Sequence, residues 1–257
     1  MTTNMFIAGK GWLYRFDPRA KIIGLLLLCI QLFLPMRQFG LWLTVVFSLS
    51  LTIRSVGFKQ SLAPLKMMLP LLIIMTLFVP LTYRDGQAMI AIGSFTIATK
   101  ESLLQLSRLA SRLISITYLC TLFFWTTEMS DILLSFRWYG LGYRSSLVLT
   151  LSFRFIPFIA DAFKMIIDSH ALREANIGEK KNRKRRLADA VPTVTSALVF
   201  ALKAIPNLAM SLEHRGFGRS NRRTVYHVLP SSSSLFTHMV VSVIIPVGYW
   251  VLLRMWN

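Results

Sequence analysis

The sequence predicts an all-α polytopic membrane protein of about five transmembrane helices plus three cytoplasmic amphipathic helices. Three observations carry this. Hydrophobic residues make up 54% of the 257 residues and charged ones only 16%, with a mean hydropathy of +0.55, a balance that belongs to chains solvated by lipid. Apolar stretches recur at lengths suited to a hydrocarbon core of about 30 Å. The 29 Lys and Arg, against 11 Asp and Glu, collect in particular connections, as expected when basic loops stay on one side of a membrane.

Taken in order, the candidate crossings are 20–35, 39–54, 62–82, 102–126 and 234–253, the first two being short. The head carries Lys10, Arg15, Arg19 and Lys21, and the 54–66 connection carries Arg54, Lys59 and Lys66. The alternate connections hold only Arg37 in one and Arg84 with Lys100 in the other. Five crossings therefore place the N-terminus and the basic 127–230 block in the cytoplasm and the C-terminus outside. No short apolar core with a small-residue cleavage site precedes the first crossing, so no removable secretory signal is expected. This organises the chain as 1–126 with four crossings, 127–230 as a cytoplasmic helical domain, and 231–257 with the last crossing.

Between the third and fourth crossings, "YRDGQAMIAIGSFTIATKES" (83–102) has turn residues and a brief alternation, which reads as an outer loop of hairpin character. The 127–230 block has amphipathic helical periodicity and is read as too charged to cross. Helices are expected near 128–139, 145–176 and 186–216, with Thr127 or Ser130 as the first cap. Pro157, Pro192 and Pro206 should bend or start helices, and "EKKNRKRR" (179–186) should separate the last two.

Two arginines stand out. In the second of these helices the stripe Phe155, Ile159, Ala162, Ile166 runs through His170 to Arg173; in the third, Ala201, Ile205, Leu208 and Leu212 lead to Arg215, followed by Gly216 as a helix stop. One reading has each arginine snorkelling at a helix terminus and complementing the helix dipole. The other has two planar, permanently charged forks plugging into acidic or carbonyl-lined grooves on another protein.

Asp17, Pro18, Arg19 and Lys21 precede the first crossing, where Asp caps a helix and Pro fits its first turn; contact with a cytoplasmic helix is the second reading. Arg108 and Arg112, one turn apart in the fourth crossing, must face protein, water or the headgroup boundary. The methionines Met67, Met68, Met75, Met165 and Met210 read first as core filling and second as an adaptable partner surface. Cys29 and Cys120 lie far from other ligands in sequence and read as packing residues. His170, His214, His227 and His238 lack companions at ligand spacing, so no metal site and no catalytic site is expected. "AGKGW" (8–12) lacks the first glycine and the hydroxyl of a phosphate loop, so nucleotide chemistry must come from elsewhere. The basic run points to lipid phosphate or topology and not to nucleic acid.

Several stretches together resemble the transmembrane T component of energy-coupling factor transporters, the family of membrane scaffolds in cobalt, nickel, biotin and other vitamin importers. They are "RFDPRAKII" (15–23), "IGSFTIATKESLLQLSRLASRL" (92–113) with Arg112 near its end, "TTEMSDILLSF" (126–136), "LSFRFIPFIADAF" (151–163) with Arg154 and Pro157, and "AMSLEHRGFG" (209–218). The resemblance implies two cytoplasmic coupling helices, each ended by an Ala-Arg-Gly-like signature whose arginine docks on one of a pair of ABC-type ATPase subunits. The matching positions are Leu172, Arg173 and Glu174, and His214, Arg215 and Gly216. The first retains only its arginine, with Leu172 for Ala and Glu174 for Gly; the second has His214 for Ala. It also implies a membrane-embedded S component that binds the substrate, ATP bound only by the partner ATPases, and residence in the bacterial inner membrane. Two other classes remain: a membrane-embedded enzyme acting on lipid headgroups, which needs clustered acids or histidines that the sequence lacks, and the membrane subunit of a conventional ABC transporter.

Overall fold

The computed structural model describes residues 6–7, 9, 11–35, 37–82, 88–92, 95–174, 183–217 and 232–255. A 3-10 turn, Trp12–Arg15, leads into α1 (Pro18–Phe33), α2 (Gln38–Val56) and α3 (Phe58–Thr82). An antiparallel hairpin, β1 (Ala88–Ile92) and β2 (Phe95–Thr99), pairs Ile92 with Phe95 and Ala88 with Thr99. Then follow α4 (Lys100–Thr126), α5 (Met129–Trp138), α6 (Tyr143–Glu174), α7 (Arg183–His214) and α8 (Ser232–Met255). The hairpin is the one non-helical element among the described residues, and it falls in the loop where the sequence alternates.

Six of these helices are long and apolar enough to cross a membrane: α2, α3, α4, α6, α7 and α8. This differs from the sequence expectation in two respects. At 16 residues, α1 spans about 24 Å as a straight helix, short of a hydrocarbon core. In contrast, α6 and α7, read as too charged to cross, contain qualifying windows: α7 because its charges gather toward its ends, α6 although Arg154, Asp161, Lys164 and Asp168 are spread along it. Between Val191 and Leu212 the single charged residue is Lys203.

The chain divides into two compact units, Met1–Ser135 with Leu229–Asn257, and Phe136–Val228. In the first unit α1 and α4 run antiparallel, as two contacts at opposite ends show. Near the start of α1, Lys21 Nζ donates to the Thr126 carbonyl at 2.9 Å; past its end, Arg112 Nη2 donates to the Leu34 carbonyl at 3.4 Å. Between them Leu32, Leu41 and Leu119 form the core, packed by Leu25, Leu28 and Ile116.

Small hydroxyl residues line the approach of α2 to α4. Thr44, Ser48 and Thr52 recur every four residues on α2 and are buried, as are Ser111 and Ser115 on α4; Thr44 and Ser115 share a hydrogen bond at 3.3 Å. Small side chains allow close backbone approach where no hydrophobic effect drives helices together. Thr44, Ser48, Thr52 and Ser111 also bond their own helices, Thr52 donating to the Ser48 carbonyl at 2.8 Å, and Ser115 is satisfied by Thr44, so none is stranded away from water. Tyr118 donates to the Ser61 carbonyl at 2.9 Å and ties α3 to α4, and Tyr249 donates to the Gly40 carbonyl at 3.1 Å and ties α8 to α2. Cys29 and Cys120, remote in sequence, are free thiols that neighbour each other between α1 and α4.

Of the methionines, Met68 alone among the five is buried; Met67, Met165 and Met210 are exposed, which confines the core-filling reading to Met68.

In the second unit α6 packs on α7. Phe158 lies against Phe200 with ring centroids 5.7 Å apart, and Tyr143 against Phe217 at 6.2 Å. Ascending α6 therefore descends α7, so the pair is antiparallel. Most of the predicted α6 stripe is sheltered, Ala162 being buried and Phe155, Ile166 and His170 half-buried, but its member Ile159 is exposed, as are Met165, Ile167 and Leu172 off the stripe.

Candidate functional site

The α7 tip is built by its last turn. Gly216 adopts φ +69°, its N–H donates to the Glu213 carbonyl at 2.8 Å, and the Phe217 N–H donates to the Leu212 carbonyl at 2.9 Å. This pair of bonds is the Schellman ending, which needs a left-handed residue just past the helix and favours glycine there. It stops the helix at His214 and leaves Arg215 exposed on the turn, beside an exposed His214.

Phe217 then braces the tip. Its ring packs on Tyr143 at the start of α6, and the Arg137 guanidinium, in the last turn of α5, lies over the Tyr143 ring at 5.4 Å from its centroid. Sequence reasoning did not find Arg137, Tyr143 or Phe217; the available signal was the aromatic residue directly after the glycine stop, the place where such endings carry an apolar contact.

At the other tip α6 stays helical to Glu174, and Leu172 is 75% exposed. Arg173 and Glu174 lie on the last turn, and their side chains fall outside the described residues, as do residues 175–182, which include the first half of the basic run. Arg154 is exposed on α6 and Pro157 sits half-buried inside it, leaving the Phe153 carbonyl without its helical donor.

Because α6 and α7 are antiparallel, Arg173 and Arg215 are not brought together. Arg215 is level with the first turn of α6 and Arg173 with its last, which separates them by about 40 Å at 1.5 Å per residue.

The remaining sequence-predicted residues have structural work in the first unit. Asp17 is fully buried and caps α1, accepting from the Arg19 N–H at 3.0 Å, with Pro18 in the first turn. The Asp17 N–H donates to His238 Nδ1 at 3.3 Å, and the His238 ring lies 4.4 Å from that of Phe16. Lys21 bonds Thr126 and, at 3.4 Å, the Thr127 hydroxyl. Thr127 is thus engaged by Lys21, and neither it nor Ser130 caps α5: the Glu128 carbonyl accepts the first amides, from Asp131 and Ile132 at 3.1 Å each. Arg112 is half-buried against the end of α1 while Arg108 is exposed. Among the described residues no three of His, Cys, Asp and Glu converge.

The profile of the CbiQ family, described as a cobalt transport protein, matches residues 9–226. The chain belongs to the CbiQ family. CbiQ-type relatives match over nearly their whole length. The energy-coupling factor transporter transmembrane protein EcfT of Lactococcus lactis subsp. cremoris is 26% identical, over 100% of this chain and 98% of its own. EcfT of Listeria innocua is 27% identical, over 89% of each chain, and EcfT of Thermosediminibacter oceani 24%, over 96% of each. The matched region includes both helix tips, and the family membership agrees with the six helices capable of crossing: this CbiQ-family chain is a multi-pass membrane protein.

Proposed function

We propose that the chain is the energy-coupling scaffold of an ECF-type importer of a vitamin or metal ion, joining two ABC-type ATPases to a substrate-binding S component. The observation that carries this is the placement of Arg173 and Arg215 at opposite ends of one antiparallel helix pair. A single groove cannot take both forks across about 40 Å, whereas a pair of ATPase subunits offers one groove to each. We place α5, α6 and α7 on the cytoplasmic side with the N-terminus, following the basic bias of the sequence; this has the short α1 cross with α2, α3 and α4, the bilayer thinning to its length, and ATP is bound by the partners. In α7 only 6% of the apolar window is buried, so its remaining apolar face needs lipid or protein cover, and the S component is the cover we assign. The scaffold transmits motion and performs no chemistry itself.

The test is co-purification with the ATPases. Arg215→Glu and Arg173→Glu should each lower the ATPase recovered by about half or more, the double variant should recover almost none, and Lys181→Glu should match the unsubstituted chain. The tenfold scale of a charge reversal at a buried fork makes the loss easy to see. Full recovery of both ATPases by the double variant would sink the proposal.

A further inference from the structure

The first unit has an open cavity of about 360 Å³ whose walls come from five segments, including Trp12 and Phe16 before α1, Leu28 on α1, Leu51 on α2, Leu122 on α4 and Ile245 on α8. The volume lies within the range of ligand sites. Its lining is apolar except for Lys21, Thr126 and Ser242, and no carboxylate lines it. A polar solute would leave most of its hydrogen-bonding groups unmatched against these walls. A hydrocarbon chain would not.

The single cation fixes the other end. Lys21 lines the cavity; its Nζ donates to the Thr126 carbonyl and the Thr127 hydroxyl, and since an ammonium has three donors, these bonds leave one donor over. The neighbouring carboxylates are Asp17 and Asp131; Asp17 spends one oxygen on the Arg19 N–H. Lys21 lies about one turn into α1, and Trp12, 62% exposed, also lines the cavity. Tryptophan and lysine together at a helix end mark headgroup depth, and basic pockets between membrane helices on the cytoplasmic side select anionic lipid.

We propose that this cavity seats one acyl chain of an anionic phospholipid, with the lipid phosphate on Lys21 Nζ. The lipid comes from the leaflet on the side of the α1 N-terminus; calling that leaflet cytoplasmic rests on the orientation proposed above, but the site does not.

The experiment uses the full chain in vesicles containing traces of phosphatidylglycerol or phosphatidylcholine with a photoactivatable group in the acyl chain. Label is measured in peptides covering 119–126 and 241–246. Phosphatidylglycerol should label about fivefold more than phosphatidylcholine, the preference conferred by one basic side chain at an anionic surface. Lys21→Met should bring the two lipids level, and Leu51→Trp, which fills the cavity from α2 without touching Lys21, should cut labelling by both severalfold. Equal labelling by the two lipids in the unsubstituted chain would overturn the assignment, as would labelling insensitive to Leu51→Trp. Displacement of the label by millimolar inorganic phosphate would also overturn it, showing an anion site with no use for the chain. None of these readings depends on ATPase association.

Discussion

Arg215 is presented by its neighbour. Gly216 at φ +69° closes the Schellman turn, and an L side chain in that region costs about 1–2 kcal/mol. Gly216→Ala should therefore lower the unfolding free energy by about 1 kcal/mol, read in denaturant melts of the detergent-solubilised chain, and should weaken ATPase recovery although the arginine is intact. Unchanged stability would mean the turn tolerates a Cβ there, where nothing lies within 4 Å to clash; the cost expected is purely that of the backbone. At this scale the sequence was legible wherever a residue acts on its own helix, as with Asp17, Pro18 and Gly216. It was not legible where the partner is distant. Thr127 carries a hydroxyl in a suitable place to cap α5, but Lys21, about a hundred positions earlier, claims it. The Cys29 and Cys120 pairing is equally a product of the α1 and α4 register, which no local pattern encodes.

Helices end where caps and prolines put them, and α5, α6 and α7 were placed to within about three residues by periodicity, because one stripe of each faces a neighbour. The start of α4 was also written locally: Thr99 and Ser102 bond each other's backbone amides in a capping box, at 3.2 and 3.0 Å. Which helices are apolar enough to cross was less legible, since mean charge hides where the charges sit, and α7 keeps all but Lys203 toward its ends. For α1 the buried cap makes a direct prediction. Asp17→Ala removes the acceptor for the Arg19 N–H and should destabilise the first unit by about 1 kcal/mol, whereas Asp17→Asn retains an acceptor oxygen and should lose well under that. Thermal unfolding of the two variants side by side decides it; equal losses would assign the effect to charge and not to capping.

Across the molecule, the +18 charge excess and the apolar stretches set the class correctly, but the relation between the two signature arginines lay beyond the sequence. Their stripes look alike, which suggests tips lying side by side; the ring contacts between α6 and α7 instead run the helices in opposite senses. Nitroxides at Arg173→Cys and Arg215→Cys, in a chain with Cys29→Ser and Cys120→Ser, should give a dipolar distance centred at about 40 Å, from the helical rise along α6. A distance near 20 Å would refute the antiparallel pairing.

That opposition has a mechanical consequence. Phe158 and Phe200 meet roughly midway along the pair, like the pin of a seesaw. Two pushes delivered at the far ends, in opposite directions, form a couple: they cancel as translation and add as rotation. ATPases that approach one another symmetrically would thus produce torque about this pin, and the exposed apolar faces of α6 and α7 would be swept through an arc beneath whatever rests on them.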